Sequence, residues 1–190
     1  MLNIYIANLG KYVEGEMVGD WLELPASEEE IQEFMVKNGV GYYDFKGDYI
    51  RGVEKDGVIY EEYAIHDIEC DFTPLYNEIG EYTSLTALNE IAEKLEELDS
   101  DELEKLEAII EYDGMGGIEG LDSLIDELDY YILYTDIESD YDLGYYWIEE
   151  SGCYDIPSFL QGYIDYESFG RDIRLNSSGS FTKYGWIEVA

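Results

Sequence analysis

The sequence predicts an α+β protein built from three small domains: an N-terminal antiparallel β-sheet with a short helix (residues 1–73), an acidic central helical bundle (74–129) and a C-terminal mixed α/β domain (130–190). Three observations predict it. Strand-like alternation dominates as far as Tyr63, apolar residues recur at helical spacing from Leu85 to Leu128, and strand and helix signals mix again from Tyr130 onward. A hydrophobic content of 46% with 15% aromatics supplies enough apolar surface for packed cores over 190 residues, which excludes wholesale disorder.

Leu2, Ile4 and Ile6 alternate with Asn3 and Tyr5 up to a turn signal at Asn8-Leu9-Gly10, and a second run from Gly15 to Leu24 ends at Pro25. The pair predicts an antiparallel β-hairpin. Ser27 with Glu30 forms a capping-box pattern ahead of Ile31, Phe34 and Met35, so a helix is expected over Glu28 to Lys37, ended by Gly39 and Gly41. More antiparallel sheet is expected from Tyr42 to Tyr63, with Lys55-Asp56-Gly57 as a turn. Beyond Thr73-Pro74, Leu85, Leu88, Ile91, Ala92, Leu95 and Leu98 mark one helix. Asp99-Ser100 caps a second with Leu103, Leu106, Ile109 and Ile110, and a third follows Gly114-Met115-Gly116-Gly117 with Leu121, Leu124, Ile125 and Leu128. The last section carries a strand at Tyr131 to Tyr134, helices at Leu143 to Glu150 and Pro157 to Phe169, and a hairpin over Ser180 to Val189 turning near Tyr184-Gly185.

Charge narrows the function. With 46 Asp and Glu against 10 Lys and Arg, the net charge is -36, which repels nucleic acid and anionic membranes alike. Apolar runs are far shorter than the ~20 residues that span a bilayer, and Met1-Leu2-Asn3-Ile4 lacks a basic leader segment. Two cysteines, Cys70 and Cys153, make no disulfide framework, and a reducing cytoplasm is the expected compartment.

No constellation points to catalysis, and no cofactor is expected. His66, the lone histidine, neighbours Asp67 but has no nucleophile elbow to serve, so it reads as structural or surface. Gly114-Met115-Gly116-Gly117 lacks the following Lys-Ser/Thr of a phosphate loop and reads as an interhelical loop. Glu138, Asp140, Asp142 and Glu149 fall at calcium-loop positions one, three, five and twelve, but Leu143 stands where the sharp turn needs glycine. An acidic calcium-binding or protein-interaction module is therefore the alternative reading.

The acidity is uneven: residues 81–142 carry a net -19, against -13 over 1–80 and -4 over 143–190. Uniform adaptation to high salt would spread it evenly. Asp101, Glu102, Glu104, Glu107 and Glu111 against Lys105 leave four net negative charges in eleven residues. That is one charge per ~4 Å of helix axis, close to the ~3.4 Å per phosphate of a DNA strand. Glu90, Glu93 and Glu97 before it, and Asp122, Asp126 and Asp129 after it, extend the candidate carboxylate surface.

Several segments resemble the ArdA antirestriction proteins of plasmids and conjugative transposons. They are Ile4-Tyr5-Ile6-Ala7-Asn8-Leu9-Gly10-Lys11-Tyr12 with Gly15-Glu16 and Gly19-Asp20-Trp21, Glu62-Tyr63-Ala64-Ile65-His66-Asp67, Leu88-Asn89-Glu90, Trp147-Ile148-Glu149-Glu150, and Tyr163-Ile164-Asp165-Tyr166-Glu167-Ser168-Phe169-Gly170-Arg171-Asp172. The stretch from Asn38 to Tyr60 departs by its greater length. The resemblance implies an elongated, three-part α+β protein, a non-enzymatic DNA mimic that dimerises and presents carboxylates, in place of phosphates, to the DNA groove of type I restriction-modification enzymes, protecting incoming mobile DNA. In such a dimer the weakly charged C-terminal third is the expected contact region, with Tyr131, Leu133 and Tyr134 as candidates from their apolar strand character.

Overall fold

Ile4 and Ile6, both wholly buried, anchor the first sheet in the computed structural model, which describes residues 1–190. Strand β1 (Leu2–Asn8) runs into a short helix, α1 (Leu9–Val13), and then pairs antiparallel with β2 (Gly19–Leu24), Leu2 opposite Leu24 and Ala7 opposite Gly19. The expected hairpin is present, but Asn8-Leu9-Gly10 begins a helix where a turn was expected. The Asn8 side chain accepts the Lys11 backbone N–H at 3.0 Å, the bond that satisfies a free donor of the first helical turn. Buried Asn8 also donates to the carbonyls of Asn38 and Gly39, both at 3.1 Å.

Helix α2 (Glu28–Lys37) has the expected bounds, with the reciprocal Ser27–Glu30 capping box formed and Phe34 and Met35 buried. Two separate hairpins follow: β3 (Gly41–Tyr43) with β4 (Tyr49–Arg51), and β5 (Val53–Lys55) with β6 (Val58–Tyr60). The second turns at Asp56 and Gly57, whose φ angles of 53° and 82° are the left-handed pair that matches the twist of its strands. Neither hairpin joins the main sheet. Its third strand is β7 (Tyr63–Cys70), giving the order β2-β1-β7 with a register shift between Tyr5 and Ile6. After α3 (Thr73–Tyr76), α4 (Leu85–Glu97) turns Leu85, Leu88, Ile91 and Ala92 inward and packs on β2. Asn89 Oδ1 accepts the Ala26 N–H at 2.7 Å, fixing the helix to the loop after β2.

Residues 1–97 form one compact unit and 98–190 a second. In the second, α5 (Ser100–Asp113) starts at the Asp99–Glu102 capping box and buries Leu106, Ala108 and Ile109. After α6 (Gly117–Asp126) comes β8 (Tyr131–Tyr134). Helix α7 (Asp140–Tyr145) continues as one π-helical turn, Tyr146–Glu150. The helix expected over Pro157 to Phe169 is instead two: α8 (Ser158–Gln161) stops at Gly162, and α9 (Tyr166–Asn176) restarts where the Asp165 side chain caps the Ser168 N–H, running on to Asn176. The terminal hairpin of β9 (Gly179–Thr182) and β10 (Gly185–Val189) completes a sheet of order β8-β10-β9. Helix α5 packs against all three of its strands. Ile137, Leu143 and wholly buried Trp186 form a core beneath α7, joined by Trp147, Ile173 and Phe181.

Helices α7 and α9 approach so closely that their crossing requires glycine on both sides. A Cβ on Gly170 would collide with the Asp140 carbonyl oxygen, and one on Gly144 with that of Tyr166. Beside the crossing, Arg174 donates to both Asp140 oxygens at 2.7 and 3.1 Å, and this guanidinium holds the carboxyl below the usual carboxylate range. Tyr166 donates to Glu149, and that bond pushes the phenol up to about 12. Alanine normally stabilises a helix relative to glycine. Here Gly170→Ala is expected to destabilise the chain by ~1–3 kcal/mol through backbone overlap, whereas Gly162→Ala, with open space around its Cβ, should shift the urea unfolding midpoint little or upward.

Candidate functional site: the carboxylate faces

In the first unit, Glu90, Glu93 and Glu97 are exposed on α4, away from its buried Leu85, Leu88 and Ile91. Spacings of three and four residues put them on one face, a carboxylate every ~4.5–6 Å along the axis. Glu93 accepts one hydrogen bond from Asn89, 3.1 Å, within the same face.

Helix α5 divides its acids between two tasks. Asp101 and Glu104 are exposed, and Glu104 has no hydrogen-bond or ion-pair partner in the protein. Glu107 is half-buried: Lys183 reaches it at 3.3 Å and the Tyr184 hydroxyl donates to it. Glu111 accepts the Lys183 backbone N–H through both oxygens, at 3.2 and 3.3 Å. These two carboxylates therefore hold the β9–β10 turn against α5. Sequence reasoning treats them as equivalent to Glu104, because the signal that separates them, a Lys-Tyr turn in space beside α5, lies more than 70 residues away. Asp126 and Asp129 are exposed and Asp122 is half-buried on and after α6.

Strand β8 lies at the edge of its sheet, bonded to β10 alone. Tyr131 is buried, edge-on to Tyr112 at 6.4 Å between ring centroids, with its hydroxyl 3.4 Å from Asp113. Leu133 and Tyr134 are half-buried, and Tyr134 donates to Glu188 at 3.3 Å. None of these three side chains is exposed; the outward features of the strand are exposed Ile132 and the backbone edge that pairs with no other strand.

The other candidate residues are taken up within the fold. His66 is exposed and edge-on to Tyr12 at 4.8 Å, while Asp67 accepts the Ile68 N–H. Of the calcium-loop matches, Asp140 pairs with Arg174, Asp142 accepts the Ser139 hydroxyl at 2.5 Å, and Glu149 accepts from Gln161 and Tyr166. Leu143, at the position where such a loop turns on glycine, is part of the core. Gly114 closes α5 and Gly116 opens α6, so the glycine run links two helices. No helix is long and apolar enough to cross a membrane.

The unequal roles of the α5 acids are measurable. Glu104→Gln should leave the urea midpoint within ~0.5 kcal/mol of the parent, while Glu107→Ala should lower stability by ~1–2 kcal/mol, because the Tyr184 hydroxyl and the Lys183 ammonium lose a shared acceptor. Equal effects of the two substitutions would show that the turn is not held by Glu107.

Searching curated proteins finds no match to this chain. The sequence model of one family, described as antirestriction protein (ArdA), matches residues 4–188, from the first buried isoleucine of β1 to the penultimate residue of β10. That match takes in all but the outermost residues of β1 and β10 and every carboxylate-bearing helix, and the chain belongs to the ArdA family of antirestriction proteins.

Proposed function

We propose that this antirestriction protein works as a DNA mimic, competing for the DNA-binding groove of type I restriction-modification enzymes and so protecting incoming mobile DNA in the cytoplasm. The observation that carries the reading is the run of exposed carboxylates at phosphate-like intervals on α4 and on the first half of α5. A groove that binds DNA supplies Lys and Arg at phosphate spacing. In the first unit the α4 face carrying Glu90, Glu93 and Glu97, and in the second the exposed Asp101 and Glu104 of α5 with Asp126 and Asp129, each offer those cations carboxylates held in place by secondary structure. Glu107 and Glu111 on α5 and half-buried Asp122 on α6 are held partly by the fold of the second unit, so they contribute charge while keeping their local bonds.

In the same reading the chain acts as a symmetric dimer through residues 130–190. The open edge of β8, with Tyr131, Leu133 and Tyr134, is the proposed contact, since residues 130–190 carry a net -8, against -12 over 1–73 and -16 over 74–129.

An ATP-dependent restriction assay on unmodified plasmid tests the reading. Excess protein is expected to protect the plasmid, and inhibition should weaken as salt rises, with a slope shallower than that of DNA at the same site because a folded protein condenses fewer counterions. The triple substitution Glu90→Gln, Glu93→Gln, Glu97→Gln should weaken inhibition and flatten the slope while leaving the circular dichroism spectrum unchanged. Undiminished cleavage across a panel of type I enzymes would overturn the proposal.

A further inference from the structure

An open cleft of about 640 Å³ lies in the second unit between β8, the loop after it and α7 with its π turn. Four tyrosines line it: Tyr134, Tyr141, Tyr145 and Tyr146. Tyr134 and Tyr146 meet at 5.0 Å between ring centroids, and Tyr141 and Tyr145 lie nearly parallel at 6.3 Å, so the walls are aromatic on both sides. Tyr166 backs the second pair at 5.6 and 5.4 Å and is itself held by Glu149, which fixes those rings from behind. The π turn matters to the arrangement. Its wider winding, closed by the Ser151 N–H on the Tyr146 carbonyl at 2.8 Å, brings Tyr146 and Glu150 to the same opening.

Charge selects what such a cleft accepts. Asp136, Asp142 and Glu150 also line it, and no basic side chain does. Asp142 is engaged by Ser139, but Asp136 and Glu150 are exposed and have no hydrogen-bond or ion-pair partner in the protein. An anion is repelled there, and a neutral apolar group would leave those acceptors facing nothing but water. A quaternary ammonium would satisfy the rings and not the carboxylates, since it has no N–H to donate. A guanidinium satisfies both: its flat face lies on aromatic rings, and its five N–H donors meet carboxylate oxygens in fork geometry.

We propose that this tyrosine-lined cleft receives an arginine side chain of a protein partner. The proposal rests on the DNA-mimic reading only for the source of that arginine, which would be the restriction enzyme's DNA groove. It differs from that reading in its chemistry, because a DNA backbone offers phosphates but no aromatic walls, and this contact would hold an arginine more tightly than a phosphate-like row alone.

The test is a ¹⁵N-detected NMR titration of the full chain at physiological salt with N-acetyl-arginine amide, whose only charge is the guanidinium. Saturable shifts confined to residues around Asp136, Tyr141 and Glu150 are expected. N-acetyl-citrulline amide, of the same shape without the charge, should produce none, and N-acetyl-lysine amide should bind more weakly. The pair Asp136→Asn and Glu150→Gln, at exposed positions that hold nothing in the fold, should weaken binding by about fivefold or more, while Asp101→Asn with Glu104→Gln should not change it. Tyr145→Phe keeps the ring and should bind like the parent. Non-saturating shifts spread over all the acidic helices, or equal binding of the citrulline analogue, would overturn the proposal, as would an unchanged affinity in the Asp136/Glu150 variant. Because the titration contains no restriction enzyme, failure of DNA mimicry in the plasmid assay and failure of this site are separate results.

Discussion

A shortage of cations governs this protein. Forty-six carboxylates face ten Lys and Arg, so most acids have no ammonium or guanidinium to pair with, and folding has to bring like charges closer than the unfolded chain does. Two small sheets counter that repulsion with cores free of charge: Leu2, Ile4, Ile6 and Leu24 in the first, Trp186 and Ile187 in the second. Four of the ten bases form ion pairs that tie parts of the chain together, Lys37 with Asp20 among them. Lys11 meets Glu14 at 2.7 Å and Glu16 at 3.6 Å, Arg174 joins α9 to α7 through Asp140, and Lys183 ties the β9–β10 turn to α5.

Tyrosine adds to the lysine at Glu14 and Glu107 and stands in for a base at Glu149, Glu188 and Asp113. Tyr60 donates to Glu14 at 2.6 Å, Tyr166 to Glu149, Tyr184 to Glu107, Tyr134 to Glu188 and Tyr131 to Asp113. A phenol satisfies a carboxylate without cancelling its charge, and the carboxylate in return makes the phenol harder to ionise, as at Tyr60 and Tyr166, while at Tyr134 burial is the larger cause and Glu188 adds to it. Twenty tyrosines in 190 residues thus reconcile two demands: local bonds that order the chain, and an outward surface that stays negative. A Lys-for-Tyr exchange at any of these contacts would supply a stronger bond and remove a unit of the charge on which binding to a DNA groove depends.

Local chemistry is what the sequence makes legible. Ser27 with Glu30 marks one helix start because its capping bonds span three residues, Asp99-Ser100 marks another, where the structure adds Glu102 to the cap, and Lys55-Asp56-Gly57 marks a hairpin because a left-handed pair closes it. Resemblance in the Ile4–Tyr12 and Tyr163–Asp172 segments carries the family. Nonlocal pairing is not legible in the same way. Tyr63–Cys70 is given no element by the sequence beyond the end of the Tyr42–Tyr63 run, because β1 pairs with it across some 60 residues, and no spacing rule connects Gly144 to Gly170, whose helices touch there. The carboxylate faces divide along the same line: exposure of Glu90, Glu93 and Glu97 follows from helical period, while the anchoring of Glu107 and Glu111 depends on Lys183 and Tyr184, which no spacing rule connects to α5.

The central claim, that charge displayed by the fold occupies a DNA site, is tested most directly by displacement. A labelled duplex bound to the DNA-binding core of a type I restriction-modification enzyme is titrated with the protein at several duplex concentrations, and fluorescence anisotropy follows release. Mutual exclusion predicts complete release, with the half-point rising in proportion to the duplex concentration. A plateau of residual anisotropy, with enzyme, duplex and protein together in one complex, would contradict it.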